Sequence, residues 1–323
     1  MNACRVLGPG RLANASREGF LAGPGKHGFV EKVNAMKAGW LPKLLLSPSV
    51  LLVLVCVYGY IAYTVFLSFT TSQMLPSYHL NGLQNYHILL GLHNWWVSVE
   101  NLAVFSVLYI SVSLALGLGL AILIDQNIRG EAAMRTVFLY PMALSFIVTG
   151  TAWKWMLDPG VGLQEIVRSL GWSSFTFDWI TRVHMSIYCI VIAAIWQSSG
   201  FVMAMFLAGL RGVDSEPINA ARIDGAKTWQ IYLYVIIPQL GPVLASAFVV
   251  LVTTAIKSYD LVVALTSGGP GNSSWLPSVF MYQYTFTRNE MGVGSASSVL
   301  MLLAVGVFVL PYLINEVKRV KNA

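Results

Sequence analysis

Leu102-Ala-Val-Phe-Ser-Val-Leu-Tyr-Ile-Ser-Val-Ser-Leu-Ala-Leu-Gly-Leu-Gly-Leu-Ala-Ile-Leu-Ile124 contains no charged residue. Wound as a helix, it is long enough to cross the hydrocarbon layer of a bilayer. Its Ala115, Gly117 and Gly119 favour close backbone packing against a neighbouring helix. Five other stretches are apolar over a comparable length: Leu44–Phe69, Thr136–Leu157, Val183–Leu210, Ile236–Ser258 and Ser295–Asn315. Each is expected to be helical, because lipid offers an open backbone group no hydrogen-bond partner. The expected fold is therefore an all-α integral membrane protein with about six transmembrane helices.

Composition agrees. Hydrophobic residues make up 56% of the chain and charged residues 11%, with a mean hydropathy of +0.66. A soluble domain carries about 25% charged residues, so too few remain here to coat a water-exposed surface. The net charge of +6 does not point to nucleic acid, because the basic residues form no separate face. Arg5, Arg11, Arg17, Lys26, Lys32, Lys37 and Lys43 precede the first apolar run, and this basic leader spans residues 1–43. The run that follows, 44–69, is too long for the core of a signal peptide and reads as a retained first span. Cys4, Cys56 and Cys189 are odd in number and widely spaced, which gives no disulfide framework and no metal spacing.

The remaining charges set the orientation. With the N-terminus inside, the loop between the second and third spans (Arg129, Arg135) is inside too. So are the loop between the fourth and fifth (Arg211, Arg222, Lys227) and the C-terminus (Lys318, Arg319, Lys321). Lys154, Arg168, Arg182, Lys257 and Arg288 are what remains, and Thr70 to Asn101 holds no Lys or Arg. Both termini are expected to be cytoplasmic. Trp95, Trp96, Trp153, Trp155, Trp172, Trp179 and Trp275 fall near the opposite ends, as an interfacial aromatic belt would. Pro48, Pro141, Gly150, Gly200 and Gly241-Pro242 interrupt the spans and mark kinks or close helix contacts.

The loop between the fourth and fifth spans is the most informative: Gly212-Val-Asp-Ser-Glu-Pro-Ile-Asn-Ala-Ala-Arg-Ile-Asp-Gly-Ala-Lys-Thr-Trp-Gln-Ile-Tyr-Leu-Tyr-Val-Ile-Ile-Pro238. Asp214 or Ser215 is suited to cap a short helix, with Pro217 tolerated in its first turn. The helix is expected to run through Asn219, Ala220, Ala221 and Ile223 and to stop at Gly225, which can turn left-handed. A second amphipathic piece with Trp229, Tyr232 and Leu233 then leads to Pro238, expected to open the fifth span. The small residues suit docking into a groove of another protein, and an interfacial connector fits the polarity equally well.

The string Asn219-Ala-Ala-Arg-Ile-Asp-Gly-Ala226, followed by Val235-Ile-Ile-Pro238, resembles the EAA loop of permease subunits of bacterial binding-protein-dependent ABC importers. Ala220, Ala221, Gly225 and Pro238 are in register with that motif, and Asp224 stands beside the glycine as in the sugar importers. Asn219 replaces the usual Glu, and Val235 and Ile237 replace Ile and Leu. Trp196-Gln-Ser-Ser-Gly-Phe201, running on to Leu207-Ala-Gly-Leu-Arg211, is similar to the helix entering that loop in sugar permeases. Ser258-Tyr-Asp-Leu-Val-Val-Ala-Leu-Thr-Ser-Gly-Gly-Pro270 is similar to the segment leaving the next span in the MalF-like half of the sugar permease pair.

The resemblance implies a type I ABC importer permease fold over residues 97–316, with the coupling loop at about 212–235 on the cytoplasmic side. It implies a second, MalG-like permease, two ATPase subunits that bind ATP and Mg, and an extracytoplasmic solute-binding protein delivering a sugar-like solute. The setting it implies is a bacterial inner membrane. Carried over residue by residue, Glu216, Asn219, Ala220, Ala221, Asp224, Gly225 and Pro238 are the expected coupling residues. On the fourth and fifth spans, Gln197, Ser198, Thr254, Lys257 and Ser258 are pathway candidates, with interhelical hydrogen bonding the alternative reading for each. No phosphate-binding G-x-x-x-x-G-K-[ST] string occurs: Gly225-Ala-Lys-Thr228 lacks the upstream glycine. His79, His87 and His93 are irregularly spaced, so neither a cofactor nor a metal is expected in this chain, and ATP hydrolysis is expected in another subunit. A secondary, ion-coupled transporter would instead place carboxylates within its spans, whereas Asp125, Asp260 and Glu316 sit near their ends.

Overall fold

The computed structural model describes residues 43, 45–126 and 130–322. The leader before Lys43, Leu44 and Arg129 lie outside the described residues. The chain divides into a unit of Met1–Ala62 and a larger unit of Tyr63–Ala323. The described part of the first belongs to α1 (Leu45–Ser68), which winds through a π-helical stretch at Leu54–Tyr58. Helices follow throughout: α2 (Gln84–Gly91), α3 (His93–Ile124), α4 (Glu131–Ala143), α5 (Phe146–Leu157) and α6 (Leu163–Ser169). Then come α7 (Ser186–Arg211), α8 (Ser215–Ile223), α9 (Thr228–Gln239), α10 (Gly241–Lys257), α11 (Asp260–Thr266), α12 (Pro277–Tyr282) and α13 (Met291–Asn322). Among the described residues the β pairing is confined to one bridge, Thr70 with Leu80.

Helices α1, α3, α7 and α13 are each long and apolar enough to cross a membrane. The expected third and fifth spans are not single helices. The third is α4 and α5, meeting at 98°, and the fifth is α9 and α10, meeting at 66°. A hydropathy window averages over such breaks, because the residues on either side remain apolar. Pro141 lies in the last turn of α4, and Ser145 starts α5 by accepting a hydrogen bond on Oγ from the Val148 amide at 3.3 Å. Pro238 does not open the fifth span. It sits in α9, ahead of the bend, and Pro242 takes the first turn of α10.

The centre of the larger unit is α3 against α7. At 32 residues, α3 is about 48 Å long, so it outreaches the hydrocarbon layer. Gly117 permits the approach: a Cβ there would stand 2.5 Å from Val202 Cγ1. Tyr109, fully buried, shares a 2.7 Å hydrogen bond with Ser198. On another face of α7, a Cβ at Gly200 would overlap the Phe138 carbonyl oxygen of α4. Gly150 lets α11 lie on α5, where a Cβ would stand 2.6 Å from Ala264 Cβ. Two tryptophans expected at the interface are instead core: Trp95 and Trp275 are buried and meet Phe280 edge-on at 5.3 and 6.4 Å.

Gly200→Val should therefore push α4 off α7 and destabilise the protein by about 1–3 kcal/mol, seen as a lower unfolding midpoint in detergent. Gly119→Ala, with open space around it, should change stability by no more than about 0.5 kcal/mol.

Candidate functional site

The connection from α7 to α10 folds by local rules. The Asp214 carboxylate accepts the Glu216 amide at 3.4 Å and caps α8. At the other end the Ala226 amide donates to the Ala221 carbonyl at 3.0 Å and the Gly225 amide to Arg222 at 3.1 Å. That paired arrangement is a Schellman closure, and it places Gly225 at φ +80°. Gln230 then accepts the Lys227 amide at 2.8 Å and starts α9.

Burial divides α8 into two faces. Ile218 and Ala221, three residues apart, pack against the core of the unit. Glu216, Asn219, Ala220, Ile223, Asp224 and Gly225 are exposed, Ile223 at 87%. The expected coupling residues thus share one outward face, except Ala221, which holds the helix to the body, and Pro238, which belongs to α9. Sequence reasoning passed over Ile223 as a helix-filling residue. Its signal was an isoleucine beside the Asp-Gly stop, where an isolated amphipathic helix would place a polar group. A recess of about 410 Å³ lined by Asp224, Gly225, Ala226, Gln230, Tyr234 and Val235 opens alongside.

A second feature lies where two helix breaks converge. Phe146, the first residue of α5, and Thr254, Lys257, Ser258, Tyr259, Asp260 and Leu261 line a cavity of about 200 Å³. Irregular backbone inside a membrane is tolerated only where protein or an aqueous cavity satisfies it, and both breaks meet that condition. Gln197 of α7 donates to the Leu144 carbonyl at 2.8 Å, and Ser278 of α12 donates to the Ser258 carbonyl at 2.6 Å. Thr254 and Ser258 turn their hydroxyls to the Val250 and Thr254 carbonyls of their own helix.

Of the five pathway candidates the structure brings Thr254, Lys257 and Ser258 to the cavity. Gln197 and Ser198 are not among its lining residues, and each makes the interhelical bond already described. Gln197 is 4% exposed, and its Oε1 has no partner among the described residues. No cluster of three or more His, Cys, Asp or Glu suited to a metal occurs among the described residues. The turn after α11 is held in place: Asn101 of α3 donates to the Ser273 and Trp275 carbonyls at 2.9 and 3.0 Å, and Ser274 accepts or donates to Thr266 at 2.8 Å.

The structure is a polytopic helical body with a short exposed helix between two of its apolar segments. Residues 44–316 match the family of binding-protein-dependent transport system inner membrane components, and the chain belongs to it. It is a permease subunit of an ABC importer, a multi-pass inner-membrane component that is not itself catalytic. Ion-coupled transport is not favoured. A probable ABC transporter permease of Pyrococcus horikoshii is 42% identical over 84% of this chain and 93% of its own length. The xylose/arabinose import permease XacH of Haloferax volcanii is 34% identical over 82% and 84%. The trehalose/maltose permease MalF of Thermococcus litoralis is 30% identical over 74% and 80%. A crystal structure of a bacterial ABC transporter importing the acidic polysaccharide alginate has a chain with the same fold. It superposes with a TM-score of 0.76 at 18% identity, over 90% of this chain and 98% of that one.

Ser198→Ala leaves the buried Tyr109 hydroxyl without its partner and should cost about 1–3 kcal/mol of stability. Thr254→Val, which removes a bond only within its own helix, should stay within about 0.5 kcal/mol. Thermal unfolding of the two variants side by side distinguishes a helix-joining hydroxyl from a cavity-facing one.

Proposed function

We propose that this chain is the MalF-like half of a sugar importer, joined to a second, MalG-like permease, two ATPases and an extracytoplasmic solute-binding protein. The observation that carries this reading is α8: it is fixed to the body by Ile218 and Ala221 and presents an exposed isoleucine ringed by polar residues. An 87% exposed isoleucine on a short, well-capped helix suits an apolar pocket on another protein. In this reading α8 seats in a cleft of the ATPase, with Glu216, Asn219, Ala220 and Asp224 around Ile223, and closure of the ATPases on ATP and Mg moves it. Arg222 and Lys227 flank the loop on what is then the cytoplasmic face, with both termini on the same side. Residues 97–316 form the transporting core, and 212–235 its coupling loop.

Sugar is the solute class named for the Haloferax and Thermococcus relatives. The cavity between the two helix breaks supports that class: Lys257 supplies donors, Asp260 acceptors, and Thr254, Ser258 and Tyr259 hydroxyls of both kinds. Gln197 retains a free acceptor deeper in the helix bundle. Such a mixture fits a neutral polyhydroxylated solute better than an anion.

In proteoliposomes holding the full complex, Gly225→Pro should abolish ATP-driven uptake of labelled xylose, maltose or trehalose while the complex still assembles. Proline cannot adopt φ +80° and lacks the amide that closes α8. Unchanged uptake would make the loop a connector and end the reading. Ile223→Ser should leave the stability of the isolated chain within about 0.5 kcal/mol but weaken ATPase association about tenfold or more. Titration of the ATPase against detergent-solubilised permease reads this directly.

A further inference from the structure

Arg211 is the last residue of α7, and α8 begins at Ser215. Its guanidinium stands between two carboxylates from different elements. Nη2 is 2.5 Å from Glu131 Oε1 in the first turn of α4, and Nε is 3.9 Å from Asp125 Oδ1 at the C-cap of α3. Glu131 Oε1 also takes Arg135, four residues along α4. The hydrogen bond from Arg211, foremost, holds the Glu131 carboxyl below the usual range, so the carboxylate stays charged. The ends of α3 and α4 thus meet the end of α7 where the loop that carries α8 begins.

Charge placement at the helix ends sharpens the point. Arg211 at a C-terminus and Glu131 at an N-terminus are each favoured by their own helix dipole. Asp125 is not: a carboxylate at the C-terminal end of α3 meets the negative pole, and a facing cation offsets this. A planar guanidinium presents five donors in a rigid fork, so it addresses two carboxylates in a fixed geometry that a flexible ammonium holds less firmly. At the far end of α3, Asn101 holds the turn between α11 and α12. One uninterrupted helix therefore runs from the Arg211 cluster to that turn.

We propose that Arg211 is a positioning residue that ties the root of the coupling loop, at the end of α7, to the ends of α3 and α4, so that displacement passed from α8 to α7 moves these membrane helices together. This rests on α8 being the ATPase-coupling helix. The ion pairs are partly exposed, with side chains 48% (Arg211), 29% (Asp125) and 27% (Glu131) accessible. They contribute little to folding stability, so their loss shows in transmission before it shows in unfolding.

The test needs no knowledge of the solute. In the full complex with partner permease and ATPases, free of native cysteines, spin labels are placed at the exposed positions Leu123 of α3 and Val307 of α13. Their separation is measured by pulsed electron paramagnetic resonance with and without ATP plus vanadate. The native pairs should show a nucleotide-dependent shift. Arg211→Gln and Glu131→Gln should each remove most of it, Arg211→Lys part of it, with ATP hydrolysis kept within about twofold and the double variant no worse than either single. An unchanged shift in Arg211→Gln, or additive losses, would overturn the proposal. If Arg211→Gln does not assemble, Arg211→Lys decides: a reduced shift supports the tie and an unchanged one refutes it. Gly225→Pro is run alongside. If it also keeps the shift, the coupling reading itself falls; if it alone loses the shift, only the tie does.

Discussion

A backbone carbonyl or amide left open in hydrocarbon costs several kcal/mol, so every interruption of a membrane helix must be answered by a group from elsewhere in the protein. In this permease the interruptions after Leu144 and at Ser258 are answered by Gln197 and Ser278, side chains from helices remote in sequence. Gln197 fixes α7 against the α4–α5 bend, and Ser278 fixes α12 against the end of α10. Phe146 from the first break and Thr254, Lys257, Ser258 and Asp260 from the second line one cavity.

Helix α7 organises the unit because each of its faces has a separate task. Gln197 meets the bend, Ser198 meets Tyr109, and Gly200 admits the α4 backbone within one turn of each other. The Trp-Gln-Ser-Ser-Gly stretch is thus a packing device on three sides: Gln197 and Ser198 bond across helices, while Ser199 bonds the Trp196 carbonyl of its own helix. Its last residue, Arg211, gathers the ends of α3 and α4 directly before the chain leaves for α8.

The loop around α8 was legible residue by residue. Its Asp214 cap and its glycine stop depend on groups within six positions of one another, so the sequence contains the whole interaction. The bends in the third and fifth spans were not legible. Pro141 and Gly241-Pro242 marked where a helix was weak, but a proline permits a kink without setting its angle, and Gln197, the partner at the first bend, lies 53 residues from Leu144. Trp95 and Trp275 read as interfacial because composition locates a tryptophan near a span end without saying which way its ring turns. Ile223 escaped notice for the opposite reason: one isoleucine in a short helix is unremarkable until its neighbours Ile218 and Ala221 take the inner face.

Hydropathy and three short motifs determined, from sequence alone, a multi-pass helical permease and the local fold of the loop around α8, because these signals are local or are sums along the chain. The tertiary structure alone decided which polar residues face a cavity and which join helices. It also decided that Arg211 links three helix ends. Those outcomes depend on distances between residues tens of positions apart, which no local pattern encodes.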